Sequence, residues 1–544
     1  MLAFVLLTLL AGQRPLWAAA AHGMVAAEHE LAAQAGVEMF RRGGNAVDAA
    51  VAAVFATGVV NPSSCGIGGG GFALVHDARS HRLEVLDFRE TAPRGAAAHM
   101  YVRDGQVDPR LSLRGALAVA VPGEVRGLTR LLRDFGTLPL ATVLEPAIRH
   151  AAQGFPVGRH LAEELHRHAE EIRRHADLAA IYLKPDGAPF AEGERLAQAD
   201  LAATLRAIAE GGEQAFYEGS LAESIARTIA GQHGLLTAED LRDYRVRLRE
   251  PLHARYRDAT VIAAPPPTGG GVVLEILNVL SGYDLRGAGL SGAFALHRIA
   301  QAEAAAFHDR ARFYGDPDFT DVPIARLVSQ QHAAELRREI AAGGTAGAAA
   351  TPGQGGTAHT SVMDEHGNAV AVSSTINTGF GSMVVVPGTG IILNNEMDDF
   401  SAAPGAANVY GLVGNEANAI GAGKRPLSSM SPVLVLRERA PVLALGGSGG
   451  PRIITAAVAA LVNVIDFGMP LEAAVAAPRI HHQAVPDRLF FEPTLAPALV
   501  AGLRKLGHDL APARDLGAVQ AVQVTARGLV GAADPRKGGV AAGW

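Results

Sequence analysis

The chain has 544 residues, 49% of them hydrophobic and 19% charged, with a net charge of −6 and one cysteine, Cys65. This is a globular composition, long enough for one large domain or about three or four smaller ones. It excludes an intramolecular disulfide and any multi-cysteine metal site, and the lack of a basic run argues against a nucleic-acid partner.

Met1 to Leu10 is an apolar run, followed by Trp17-Ala18-Ala19-Ala20, whose small residues suit a signal peptidase. Residues 1–20 are therefore expected to be an export signal that directs the protein to the periplasm or outside the cell. The run is too short to span a bilayer and carries no Lys or Arg at its start, so an uncleaved anchor or a mis-assigned start also fits it. The mature protein is expected to have no membrane span.

Residues 24–61 predict helix, interrupted at Arg41-Arg42-Gly43-Gly44-Asn45. A glycine-rich loop from Cys65 to Gly71 leads into strands at 72–75 and 83–88. Residues 124–230 predict mainly helix. Pro265 to Gly271 form a rigid turn into an apolar helix at 272–280. Residues 341–356 are almost all Ala, Gly, Thr and Pro and cannot pack a core. Strands dominate from Thr357 to about residue 395, then a loop region rich in Gly and Asn spans 402–424. Strands at 433–436 and 442–445 precede a helix at 453–464. Helices, then strands, then helices predict an α+β fold whose sheets are covered by helices on their outer faces.

The join at Gly356–Thr357 carries the chemistry. If that bond is cut, the Thr357 hydroxyl lies beside a free α-amine, which titrates near pH 8 when unperturbed and can act as its base. Glycine before the cut allows the tight backbone that attack on its own carbonyl requires; an interdomain linker has the same composition. The turn Glu365-His366-Gly367-Asn368 folds 357–364 back on 369–377. Centred on His366, it sets Thr357 opposite Thr375, with Asn377 on the same face as Thr375. An ordinary Thr–Thr pair on a solvated face fits the same register.

Several other patterns compete. Gly446-x-Ser448-x-Gly450 has the spacing of a nucleophile elbow, with Asp466 and His481 or His482 as triad partners, but too little chain follows for such a sheet. Gly66-x-Gly68-x-x-Gly71 has dinucleotide-loop spacing in a reversed context, helix before and strand after. His160, His166, His168 and His175 lie on a charged helix and read as a solvated face, with no metal-ligand spacing. No cofactor and no metal are expected. Cys65 reads as a small residue in a tight loop.

Long motifs in order give a specific resemblance. Thr357-Ala358-His359-Thr360-Ser361-Val362, Asn394 to Phe400 (NNEMDDF), Arg425 to Pro432 (RPLSSMSP) and Pro478 to Gln483 (PRIHHQ) are similar to the small subunit of γ-glutamyltranspeptidases (glutathione hydrolases). Gly43 to Ala50 (GGNAVDAA), Gly66 to Phe72 and Asp87-Phe88-Arg89-Glu90 resemble the large subunit. The resemblance runs from about residue 23 to the C-terminus. It implies an N-terminal-nucleophile (Ntn) hydrolase fold, a four-layer αββα sandwich built by both products of self-cleavage. The large chain would be 21–356 and the small chain 357–544, forming a heterodimer.

Carried over by position, Thr357 resembles the nucleophile, Thr375 its supporting hydroxyl, and Gly449 and Gly450 the oxyanion donors. Arg89, Ser428 and Ser429 resemble the holders of the substrate α-carboxylate. Asn377, Glu396 and Asp399 resemble the holders of its α-amino group. Pro404 to Asn415 resembles a lid loop with Tyr410 over the site. The implied donor is glutathione or another γ-glutamyl compound, and the implied acceptor is water or the amine of an amino acid or peptide. A glutaryl acylase on the same fold, or an uncleaved γ-glutamyl-binding protein, are the other readings. Glutaryl lacks the ammonium that Asn377, Glu396 and Asp399 would hold.

Overall fold

The computed structural model describes residues 16–289, 292–342, 355–403 and 405–544. Two seven-stranded antiparallel sheets lie at its centre. In one, the order is Trp17–Ala20, Gly528–Ala533, Ala518–Thr525, Ala440–Ser448, Val433–Arg437, Ala259–Ala263 and Leu252–Tyr256. In the other it is Val540–Gly543, Gly23–Ala27, Gly356–Asp364, Ala369–Asn377, Gly70–Asp77, Arg82–Phe88 and Arg247–Arg249. Each sheet takes strands from both sides of Gly356–Thr357, so neither half could complete a sheet alone.

Side-chain alternation sorts the apolar residues into three cores. Met24, Leu74, Ile262, Met363, Leu434 and Val522 fill the space between the sheets. Their neighbours along the strands point outward. Val25, Ala73, Val362 and Val372 pack under helices Ala46–Val60, Glu124–Phe135 and Leu140–Gln153. On the opposite side, Val261, Val435, Leu445 and Val519 pack under Gly270–Leu280, Ala293–Phe313 and Arg452–Ile465. The result is the expected four layers, helix, sheet, sheet, helix. Both faces of the central strands are covered, so Gly356–Asp364 and Ala369–Asn377 are buried at every position.

Two local readings change. Residues 24–27 are strand, not helix, because Gly23–Ala27 is paired on both sides, with Gly356–Asp364 and Val540–Gly543; tertiary pairing overrides the helical preference of alanine. Trp17–Ala20 pairs with Gly528–Ala533 as an edge strand. Of the proposed export signal, residues 1–15 lie outside the described residues. The glycine loop before Gly70–Asp77 is a packing device rather than a nucleotide cradle. A Cβ at Gly68 would stand 2.0 Å from the carbonyl oxygen of Ile392, and one at Gly69 2.0 Å from that of Thr375. Only glycine lets this chain lie against the Thr375 strand.

The GGNAVDAA motif starts a helix. Asn45 accepts the amides of Val47 and Asp48, and the Asp48 carboxylate accepts the Asn45 amide, closing a capping box. Asp48 also accepts the amides of Thr137 and Leu138, fastening a second helix start to the first. Among the described residues, no helix is long and apolar enough to cross a membrane.

Candidate active site

The hairpin has the register that a turn centred on His366 predicts. Thr357 faces Thr375, Ala358 faces Ser374, and the register shifts only between Gly356 and Thr357. That irregularity leaves Gly356 opposite Asn377 and bends the chain where scission is expected. Thr357 Oγ1 lies 3.1 Å from Thr375 Oγ1. The Thr375 hydroxyl donates to the Gly356 carbonyl oxygen at 2.8 Å and accepts the Asn377 amide at 2.8 Å. With its one proton on the Gly356 oxygen, Thr375 receives the proton of Thr357. Thr357 is therefore oriented, and the carbonyl beside it is polarised.

One narrow pocket gathers Thr357, Thr375, Arg89, Asn377, Glu396, Asp399, Tyr410, Ser428, Ser429 and Gly450. Arg89 is 1% exposed, far from the solvated surface where arginines usually lie. Its guanidinium bonds to Glu396 and Asp399 and donates to the Pro426 carbonyl at 3.2 Å. Burial alone lowers an arginine pKa, but the two acids hold this one above its ordinary value. Burial raises the acids in turn: Glu396 well above the carboxylate range and Asp399 upward, with Arg89 opposing in both cases. The solvated acidic loop that residues 396–399 could have formed is instead a short 3-10 turn whose Glu396, Met397 and Asp398 are buried. Asn377 has a positive φ of 77° and donates to the Asn395 carbonyl at 2.9 Å.

Ser428 and Ser429 border the same pocket. The Ser428 hydroxyl accepts the Met430 amide at 3.0 Å, and Ser429 accepts a bond from Arg310 at 3.3 Å. Tyr410 lines the same pocket. Its hydroxyl lies 2.7 Å from both the carbonyl and the side-chain oxygen of Asn377, and Gln483 donates to its carbonyl at 3.1 Å. Asn408 links this loop to Asp399 at 3.1 Å. Pro404, at the start of the expected lid loop, lies outside the described residues, as do residues 343–354 of the segment before the expected scission point.

The strand Ala440–Ser448 is joined to the helix Arg452–Ile465 by three residues, Gly449, Gly450 and Pro451. Gly449 and Gly450 make the turn, with φ of +124° and +62°, conformations that side chains resist. The turn leads directly into a helix N-terminus, a setting suited to a developing anion. A Cβ on Gly355 would come within 2.7 Å of the Gly450 nitrogen, so the uncut chain lies directly on this turn.

Four residues were not foreseen. Lys537 donates to the Thr357 carbonyl, lies 3.3 Å from Ser448 Oγ, and pairs with Glu28 at 2.7 Å. Glu28 also accepts the His359 amide at 3.2 Å; burial raises its pKa and Lys537 opposes the rise. Glu90, fully buried, is pushed up to about 8 by desolvation against the pull of Arg89, which is 3.8 Å away. Arg310 reaches the Ser428 carbonyl and the Ser429 hydroxyl, and its burial lowers it to about 10. The adjacent Arg89-Glu90 and Ser428-Ser429 in sequence signal a polar cluster; nothing local signals Lys537.

The competing motifs do not assemble. Ser448 is buried against Lys537, whereas His481 bonds to Thr455 at 2.9 Å and Asp466 to Tyr256 at 2.6 Å. No Ser–His–Asp triad forms. The histidine-bearing helix is not wholly solvated, because His160 and His168 turn into a cleft beside the site. Burial lowers His160 to about 3. Glu275, Asp309 and His332 form a buried cluster close enough to hold a cation, yet His332 already bonds to Asp309 at 2.5 Å. Burial pushes the Cys65 thiol well up, consistent with an inert core residue.

A model of the gamma-glutamyltranspeptidase family matches residues 32–544. The chain is 42% identical over 528 residues to the glutathione hydrolase proenzyme of Escherichia coli K12, covering 95% of this chain and 91% of that protein. It is 39% identical to an acylase ACY 1 proenzyme of Pseudomonas sp. SE83, covering 95% and 92%. Among solved structures, the cephalosporin acylase of Bacillus halodurans superposes with a TM-score of 0.88 at 31% identity, covering 100% of this chain and 99% of that one. By the family match and these identities, the chain belongs to the gamma-glutamyltranspeptidase family.

Proposed function

We propose that this protein is a self-cleaving γ-glutamyltransferase with glutathione hydrolase activity. One observation carries the reading. The Thr357–Thr375 hydroxyl pair lines the same pocket as Arg89, Glu396 and Asp399. A nucleophile and a charged receptor for an amphoteric head thus share one cavity. The glutathione hydrolase relatives support the same substrate class.

In the precursor, Thr357 Oγ attacks the Gly356 carbonyl carbon, and Thr375 steadies the oxygen. The acyl group shifts from nitrogen to Oγ, and water hydrolyses the ester. Gly356 leaves as a carboxylate, and Thr357 gains a free amine. The chain ending at Gly356 and residues 357–544 then remain joined as a heterodimer through their shared sheets. In turnover, the amine takes the Oγ proton as Oγ attacks the γ-carbonyl. The oxyanion is met by the Gly449 and Gly450 amides. The leaving amine takes the proton, and the γ-glutamyl ester on Thr357 passes to water or to an acceptor amine.

A γ-glutamyl head exchanges one internal set of ion pairs for a larger one. Its carboxylate takes donors from Arg89, Ser428 and Ser429. Its ammonium takes the acids so released, with Asn377 as a neutral acceptor. Two acidic side chains, Glu396 and Asp399, line the pocket, so it favours a head bearing a cation. A glutaryl donor, as in the acylase reading, offers none. Tyr410 is assigned as the lid that keeps water out. The apolar run Met1 to Leu10 supports export, and a cut that spares Trp17 would preserve the edge strand Trp17–Ala20.

The test is N-terminal sequencing of the purified protein, with turnover of γ-glutamyl-p-nitroanilide and glutaryl-p-nitroanilide side by side. A second chain opening Thr-Ala-His-Thr and a preference for the γ-glutamyl anilide are expected. A single uncut chain that still turns over substrate would overturn the reading.

A further inference from the structure

A cleft of about 630 Å³ opens on the side of Gly449 away from the Arg89 pocket. Gly355, Ser448, Gly449, Lys537 and Arg452 are among its walls. The two cavities meet at the glycine turn and the lid: Gly450 and Tyr410 border one, Gly449 and Val409 the other. A γ-glutamyl donor held by its head near Arg89 and by its carbonyl at Thr357 would have this adjoining cleft open to the group beyond the scissile bond.

The cations of this cleft are almost all spoken for. Arg110 pairs with Asp108, Arg114 with Glu171, Arg167 with Glu164, Arg536 with Glu492 and Asp534, and Lys537 with Glu28. Arg452 differs. It is 9% exposed, and its Nε has no hydrogen-bond partner among the described residues. Asp515, on the same cleft, attracts it electrostatically but forms no ion pair with it within 4.0 Å. A buried guanidinium nitrogen left without an acceptor is costly, and an anion reaching the side chain would relieve that cost.

Arg452 also stands in a useful place. Its Cβ lies 3.8 Å from where a Cβ on Gly449 would be. The carboxylate of a dipeptide lies about 7 Å from its amine, two residues at about 3.3–3.6 Å each. An arginine side chain beside the oxyanion turn can span a similar distance, and its planar fork suits a carboxylate.

We propose that this cleft receives the peptide leaving group and the incoming acceptor peptide, and that Arg452 binds their C-terminal carboxylate. The proposal rests on the transferase reading above. In the transfer step, the acceptor amine adds to the carbonyl of the γ-glutamyl-Thr357 ester and the C–Oγ bond breaks. The proton lost by the amine passes through the Thr357 α-amine to Oγ. Arg452 takes no part in these bond changes; it sets which amines arrive in position.

The experiment compares two acceptors that differ only in the terminal charge, glycylglycine and glycylglycinamide, with γ-glutamyl-p-nitroanilide as donor. The wild type should use glycylglycine at least about tenfold more efficiently, the range of one charge-assisted bond. In Arg452→Met that ratio should fall to near one, and Arg452→Lys should keep part of it. The ratio is internal to each variant, so a loss of folded protein does not alter it. If Arg452→Met does not fold, the wild-type ratio decides: a value near one overturns the proposal. An unchanged ratio in Arg452→Met overturns it as well. Failure of the wild type to release p-nitroaniline at all would instead sink the transferase reading, which keeps the two failures apart.

Discussion

The Thr375 hydroxyl donates to the Gly356 carbonyl oxygen at 2.8 Å while standing 3.1 Å from the Thr357 hydroxyl. One side chain thus touches both the attacking atom and the group it attacks. Thr375→Val keeps the shape and removes the donor. Self-cleavage should slow about 10²–10³-fold, the usual loss for one oxyanion donor, and Thr375→Ser should restore it. A time course of the two-chain product on a denaturing gel reads the rate; a Val variant that cuts as fast as wild type refutes the role.

Asp399 bonds to Arg89 and lies in the pocket expected to hold an ammonium. Asp399→Asn removes the charge and keeps the size. Activity on γ-glutamyl-p-nitroanilide, as kcat/KM, should fall about 10²-fold or more, as for a desolvated charge pair that loses one partner. Activity on glutaryl-p-nitroanilide should change far less. Equal losses on both anilides would show that Asp399 is not reading the ammonium.

Lys537 and Glu28 form a buried pair directly behind the nucleophile. Lys537→Met strands the Glu28 carboxylate, which should destabilise the fold by about 3–5 kcal/mol. Adding Glu28→Gln should recover part of this loss. Thermal or urea unfolding of the two single variants and the double variant gives the coupling directly. Strict additivity would mean that the pair contributes nothing as a pair.

His332 is raised to about 9, first by its bond to Glu275 and then by Asp309, with burial opposing. A histidine raised in the folded state contributes stability that is complete below its unfolded pKa, near 6.5, and lost as pH rises toward 9. The melting temperature should therefore decline between about pH 6.5 and 9. The decline should flatten in His332→Gln. A parallel slope in both proteins would remove His332 as its cause.

The site was legible in sequence where chemistry is local. A turn centre at His366 fixes which threonine faces Thr357, because strand pairing counts residues one for one. The glycine turn before a helix and the run of acids at 396–399 are equally local signals. Lys537 is not, since it meets the Thr357 carbonyl across a separation of 180 residues. Nor is Glu28, which follows the strand Gly23–Ala27 that pairs with the nucleophile strand. That strand is four residues of methionine, valine and alanine after a glycine, and only its two neighbours make it extended. The Arg89 ion pairs were hidden for the same reason: their acids come from beyond position 390.

Gly355 rests against the nitrogen of Gly450, so before scission the stretch ahead of Thr357 occupies ground that an incoming acyl group would need. Glutamine-like warheads that trap the hydroxyl of Thr357 should label matured copies and ignore immature ones. The tally of labelled copies would then record how many molecules have completed their own scission, independent of how much protein has been synthesised.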